Sequence, residues 1–276
     1  MKEVIFDTFI DSVKLLPFLF ITFLFLEYFE HKFSKRSVNL IKKSNKFGPF
    51  IGSILGIVPQ CGFSVMATNL YITRIISLGT LFSVYLSTSD EMLPLLIAGK
   101  APFLLILKIL LFKFLLGMFY GYIIDLVLRK KEKPRYDICK DDSCDCEHNL
   151  FLASLKHTFN IFIFVLIFTF VINLIMEFLG MKYLETIFLK NNIFGSFITG
   201  LIGLIPNCAS SIVLTELFLN NAISFGSLIG GLLPASGVAL LVLFKENKSK
   251  RESIAIIGLL YFLGVLTGII IDIFAR

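Results

Sequence analysis

Long uninterrupted apolar runs divide the chain. From Ile161 to Ile172 every residue except Thr169 is apolar, without the polar alternation that a half-buried strand would show. Only helices and closed barrels satisfy their backbone groups in lipid, and barrel strands alternate, so runs of this kind predict membrane-spanning helices. Three segments in each half of the chain are long enough to cross: 11–29, 77–97 and 103–128, then 158–179, 223–244 and 254–274. The first of these runs into Glu27, Glu30 and a basic loop without a small-x-small cleavage site, and it reads as a retained helix rather than a signal peptide.

Composition agrees with that pattern. Of 276 residues, 56% are hydrophobic and 17% charged, and mean hydropathy is +0.85. A soluble domain with this balance would lack the polar surface to cover its core. The net charge of +6 raises the question of nucleic acid, yet the basic residues gather in short loops between apolar runs. That is a topology signal. Membrane lipid is the partner it implies, with no nucleic acid; a homo-oligomer stays open.

The chain also repeats itself. An offset of 147 aligns residues 48–93 with 195–240 without a gap, and sixteen of those 46 positions are identical, among them Gly48/Gly195, Pro59/Pro206, Cys61/Cys208, Ser64/Ser211 and Ser89/Ser236. Gly117, Gly121 and Asp125 match Gly264, Gly268 and Asp272 at the same offset. The organisation expected is a first transmembrane repeat over 1–128, a polar linker over 129–156 and a second repeat over 157–276.

Residues 48–73 and 195–220 are the ambiguous pieces. Pro59 or Pro206 cuts each into halves of about a dozen residues, which at about 1.5 Å per residue cover about 18 Å of a core about 30 Å thick. Each is either one kinked span or a re-entrant hairpin. Loop charge favours hairpins, because the basic loops 30–47, 129–135 and 245–251 then all lie in the cytoplasm. Both termini then lie outside and the linker is cytoplasmic. Each repeat so read has three spans, an odd number, and the second enters the membrane upside down. The fold class expected is an all-α polytopic membrane protein of the cell membrane with two inverted repeats, ten helices in all when each hairpin counts as two.

Chemistry concentrates where the apolar pattern fails. The tips carry Gln60, Cys61 and Ser64 in one repeat and Asn207, Cys208, Ser210 and Ser211 in the other, and the half-helix after each tip points its N-terminal amides at the break. A second break is Ser87-Thr88-Ser89-Asp90-Glu91, whose twin is Pro234-Ala235-Ser236-Gly237. Acids at bilayer depth are costly, so Asp90 and Glu91 are candidates for binding a cation or carrying the coupling proton, two roles the sequence does not divide between them. Ser89 and Ser236 join the substrate-binding candidates. Burial of the acids against Lys108 or Lys113 is the structural alternative.

The linker holds Cys139, Cys144, Cys146 and His148 among several acids. Reduced cytoplasmic thiols could hold a soft cation there, and a solvated acidic loop is an equal reading. No phosphate-binding Gly-x-x-x-x-Gly-Lys-Ser/Thr loop occurs, which disfavours ATP-driven transport by this chain alone. A cysteine-nucleophile enzyme lacks an imidazole base at depth, since His31, His148 and His157 fall in loops or at a helix edge.

The paired Pro-Gln-Cys-Gly and Pro-Asn-Cys-Ala-Ser-Ser tips, the Ser-Thr-Ser-Asp-Glu segment and the Cys/His/Asp linker resemble the ten-transmembrane heavy-metal exporters, also labelled arsenic efflux or manganese transport proteins. The resemblance covers nearly the whole chain. It implies a non-enzymatic transporter without a cofactor that exports a metal or metalloid ion, with the tip residues and the Asp90-Glu91 pair at its site. The expected mechanism is alternating access driven by protons, and a small organic solute or anion at the half-helix N-termini is the other substrate class. The linker here is shorter and poorer in histidine than that family's pattern.

Overall fold

The computed structural model describes residues 47–59, 61–89, 92–128, 195–207 and 209–274, with isolated positions at 20, 155, 159, 163, 167 and 170; of Cys61 the backbone alone is described. These residues form helices and connecting turns. In chain order the helices are α1 (Gly48–Ile57), α2 (Cys61–Ile72), α3 (Leu78–Ser87), α4 (Met92–Ala98), α5 (Phe103–Val127), α6 (Gly195–Gly203), α7 (Ala209–Leu219), α8 (Phe225–Leu232), α9 (Ala239–Glu246) and α10 (Lys250–Phe274). Helices α6, α8, α9 and α10 begin 147 residues after α1, α3, α4 and α5.

Helices α5 and α10, 25 residues each, are long and apolar enough to cross a membrane. Leu104, Leu107, Leu111, Leu115, Phe119 and Leu126 lie exposed along α5. In water such a stripe would be an aggregation surface, whereas in a bilayer it faces lipid. The remaining described helices run from 7 to 12 residues, too short to cross alone.

Proline sets the interruptions. Pro59 pushes Val58 into an extended conformation (φ −64°, ψ 122°), which ends α1. Pro94, in the first turn of α4, could not follow a continuous helix, since its ring would strike the carbonyl of residue 90 and it has no N–H to offer. In the second half Pro234 lies before the break rather than after it, and Gly237 turns the chain with φ 54°.

Small residues fix the helix directions. Gly48, Gly52 and Gly56 of α1 lie against Thr80, Ser83 and Ser87 of α3 in that order, so the two helices run the same way. Gly79 of α3 meets Gly121 and Asp125 of α5, and Gly117 meets Ser83 and Ser87, so α3 and α5 run oppositely. Because only residues 73–77 join α2 to α3, α2 must return from the end of α1 to the level where α1 began. Helices α1 and α2 therefore form a hairpin with its tip at Val58-Pro59. In the other half Gly195 and Gly203 of α6 meet Ser227 and Gly231 of α8, while Gly226 and Gly230 of α8 meet Gly268 and Gly264 of α10. The short helices α2 and α7 end alike, with Arg74 (φ 61°) and Asn221 (φ 57°) in the left-handed region.

Contacts between the halves are reciprocal. Helix α2 packs on α9 and α7 on α4. Arg74 donates to both oxygens of Glu252 at 2.8 Å, joined by the Tyr71 hydroxyl, which ties the end of α2 to the first turn of α10. At the far end Gly99 faces Leu219. Between them Tyr120 of α5 and Thr267 of α10 share a hydrogen bond of 2.8 Å.

An acid clamps the start of α3. Asp125 accepts from Ser77 Oγ at 2.7 Å and from Gly79 N–H at 2.8 Å, while the Ser77 hydroxyl caps the amide of Thr80. Asp272 does the same to Ser224 and Gly226 at 2.7 and 3.0 Å. Carboxylate bonds of this kind contribute about 1.5–3 kcal/mol each, less where water competes. Asp125→Ala is expected to lower stability in detergent by about 2–4 kcal/mol, and Asp272→Ala by less because its bond to Ser224 is exposed. Thermal unfolding of both variants checks the order.

Candidate functional site

Proline-interrupted helices leave carbonyls without their usual amide donors, and the structure gathers these ends together. Ser89, just past the end of α3, donates to Ile57 O at 2.5 Å, so the break after α3 abuts the tip of the α1–α2 hairpin. In the second half Gly203, at the end of α6, lies against Gly231 O and Pro234, so that tip abuts its own break. Lys113 then bridges the halves. Its Nζ donates to Thr88 O, the C-cap of α3, and to Leu232 O, the last residue of α8, at 2.8 Å to the latter.

Lys113 is 1% exposed and lies near the middle of α5, so this ammonium is held at the depth of the breaks. Leu232 O needs such a donor. In a continuous helix the amide of Ser236 would reach it, but that amide bonds Pro234 O at 2.8 Å instead. Thr88 O likewise follows the end of α3 at Ser87. Both carbonyls belong to helix C-termini, where partial negative charge accumulates and a cation is favoured.

The serines predicted as substrate ligands are buried. Ser210 Oγ donates to Asn207 O at 2.9 Å, and Ser236 Oγ reaches Pro234 O at 3.4 Å. Ser64 O and Ser211 O each accept the hydroxyl one turn later, Thr68 and Thr215, at 2.7 Å. Thr68 also pairs with Tyr85 across the α2–α3 contact. A hydroxyl that donates to backbone still keeps acceptor lone pairs, so Ser89, Ser210 and Ser236 line the breaks as acceptors. Asn69 Nδ2 and Ser53 Oγ are buried with no hydrogen-bond partner among the described residues.

Not every predicted residue is placed. Gln60, Asp90, Glu91, Cys208 and the linker set Cys139, Cys144, Cys146 and His148 lie outside the described residues, as does the side chain of Cys61. The backbone of Cys61 begins α2, and α7 begins at Ala209 directly after Cys208, so both half-helices start at their tips. Among the described residues no group of three His, Cys, Asp or Glu side chains could hold a metal ion.

Two features escape the sequence reading. Lys113 is considered there only as a partner for an acid, although an ionisable residue in mid-helix at bilayer depth is itself a signal. Pro94 is overlooked because it lies inside an apolar run that otherwise reads as continuous.

Comparison with known families decides the class. The profile of a family described as "Putative, 10TM heavy-metal exporter" matches residues 1–183 and 146–276, which together cover the whole chain. The chain belongs to this family. Membership of this ten-transmembrane exporter family identifies it as a membrane protein, and the lipid-compatible faces of α5 and α10 suit that. No curated protein and no solved structure matches the chain. In this exporter-family chain the bond from Ser89 to Ile57 O is expected to hold the first tip against its break. Ser89→Ala should cost about 1–3 kcal/mol, and Ser236→Ala, which loses only a long bond, under about 1 kcal/mol. Denaturant or thermal unfolding of the two variants measures the difference.

Proposed function

We propose that the chain is a secondary exporter of a metal or metalloid ion, working by alternating access between two inverted repeats. The carrying observation is that breaks from both halves meet on the single Lys113 ammonium. Irregular backbone at membrane depth is tolerated where it lines a binding cavity, and broken helices from two repeats are how such cavities are built.

Inversion is supported by the ties between the halves. Arg74 lies at the level where α1 and α3 begin and α5 ends, and it binds the first turn of α10. Helices α6 and α8 begin at the other end of α10, beside Asp272. The two halves thus start from opposite ends of the bundle. The basic loops 30–47, 129–135 and 245–251 adjoin Gly48, Leu128 and Lys250, all at the Arg74 end, which supports a cytoplasmic placement of that end. The N-terminus, the C-terminus and the 181–194 segment are then outside, and the linker inside the cell.

Within this frame the substrate sits between the tips, held by Gln60, Cys61, Ser64 and Ser89 from one half and Asn207, Cys208, Ser210, Ser211 and Ser236 from the other. Asp90 and Glu91 supply negative charge and carry the coupling proton. Thiol and carboxylate ligands suit a soft or borderline divalent cation or a trivalent arsenical. A second reading is a small anion held at the N-termini of α2 and α7, both of which begin at the tips, with the acids serving as proton carriers only.

Cells carrying Cys61→Ser with Cys208→Ser, and cells carrying Glu91→Gln, separate these chemistries. Thiophilic export predicts loss of resistance to arsenite in both. Unchanged resistance in the cysteine variant with loss in Glu91→Gln would leave carboxylate or proton chemistry as the carrier.

The rocking of the halves has its own test. Arg74→Cys combined with Glu252→Cys, oxidised to a cross-link, is expected to arrest transport in vesicles and to release it on reduction, while each single variant stays responsive to neither treatment. Transport that persists through the cross-link would exclude opening at this end.

A further inference from the structure

Transporters built from broken helices commonly use the C-terminal carbonyls of the half-helices to coordinate a coupling ion such as sodium. Here the carbonyls that end α3 and α8, Thr88 O and Leu232 O, are held by the same Lys113 ammonium. We propose that Lys113 is a tethered cation occupying the position of an alkali-metal ion, so that the two broken helices are joined without sodium or potassium.

Three observations carry this. The first is chemical: the two carbonyl contacts are to backbone oxygens at helix C-termini, the ligand type and polarity an alkali cation would use. The second is that one carbonyl comes from each half, so the ammonium does what a shared ion would do in holding the breaks together. The third is that the position is unique. The residue 147 places after Lys113 is Leu260, buried and apolar, so the second half has no ammonium to offer at the matching place. The alkyl stem of Lys113 is buried with its head, so the charge cannot reach water by extending.

The cradle itself stands on these two bonds. Its consequence for coupling, that transport needs no sodium or potassium gradient, rests on the exporter reading above.

The test uses the full chain purified in detergent, with thermal unfolding followed in choline chloride, sodium chloride, potassium chloride and methylammonium chloride at equal ionic strength. The wild type should show the same Tm in all four. Lys113→Ala should unfold about 5–10 °C lower in choline, and sodium, potassium or methylammonium should restore part of that loss saturably. A wild-type Tm that rises with sodium would overturn the proposal, as would a Lys113→Ala protein as stable as wild type in choline, or one that no small cation restores. If Lys113→Ala does not fold, Lys113→Gln takes its place in the same assay. Because the readout involves no transported substrate, a failure here is distinct from a failure of the exporter reading. In vesicles containing the wild-type chain, transport unchanged when choline replaces sodium and potassium supports the coupling consequence, and transport lost on that replacement overturns it.

Discussion

A helix interrupted inside a bilayer leaves carbonyls and amides that lipid cannot hydrogen-bond, at several kcal/mol for each group left unmet. The described helices α3 and α8 both stop short of the length needed to cross, so this cost falls at the same place from two directions. Lys113, Ser89 and the amide of Ser236 meet it, each by bonding a carbonyl outside the helical pattern. The breaks are thus joined to each other by the groups that make them tolerable.

Close packing sets where those groups sit. In lipid there is little hydrophobic drive between helices, and association relies on small residues that let backbones approach. Gly52 and Gly56 on α1, Ser83 and Ser87 on α3, and Gly117 and Gly121 on α5 form such an interface, and Gly230, Gly264 and Gly268 form its counterpart. With α5 held this close to α3, a lysine in the middle of α5 reaches the end of α3 rather than solvent. The Asp125 clamp fixes the same pair of helices in register from the other end.

The sequence made much of this readable, for physical reasons that differ by feature. Pro59, Pro206, Ser87 to Glu91 and Pro234 to Gly237 stand out because polar and helix-breaking residues are expensive within apolar runs, and helix ends fall at each of these places. The direction of α2 is different. A hairpin and a kinked span share the same proline and the same composition; loop charge favours the hairpin, and the run of contacts between Gly48 to Gly56 and Thr80 to Ser87, which is not local, gives α2 its return direction. The Arg74–Glu252 tie was invisible for a related reason: residues 147 places away from each partner are Leu105 and Asn221, so the repeat gives no echo of it. Asp125 and Asp272 were visible as a matched pair, but their task depends on knowing that a helix start lies beside a helix end.

The hydrogen bond between Tyr120 and Thr267 joins two residues whose numbers differ by 147, the spacing of the duplication itself. If two halves were related by a two-fold axis, a contact between equivalent positions would lie on it. In a dimer of identical halves that contact would pair one residue type with itself, and every binding group would occur twice. A single chain with unlike halves is free of that restriction. Within one chain a tyrosine can face a threonine at such a contact, and the position matching Lys113 can hold Leu260, so a group needed once need not occur twice.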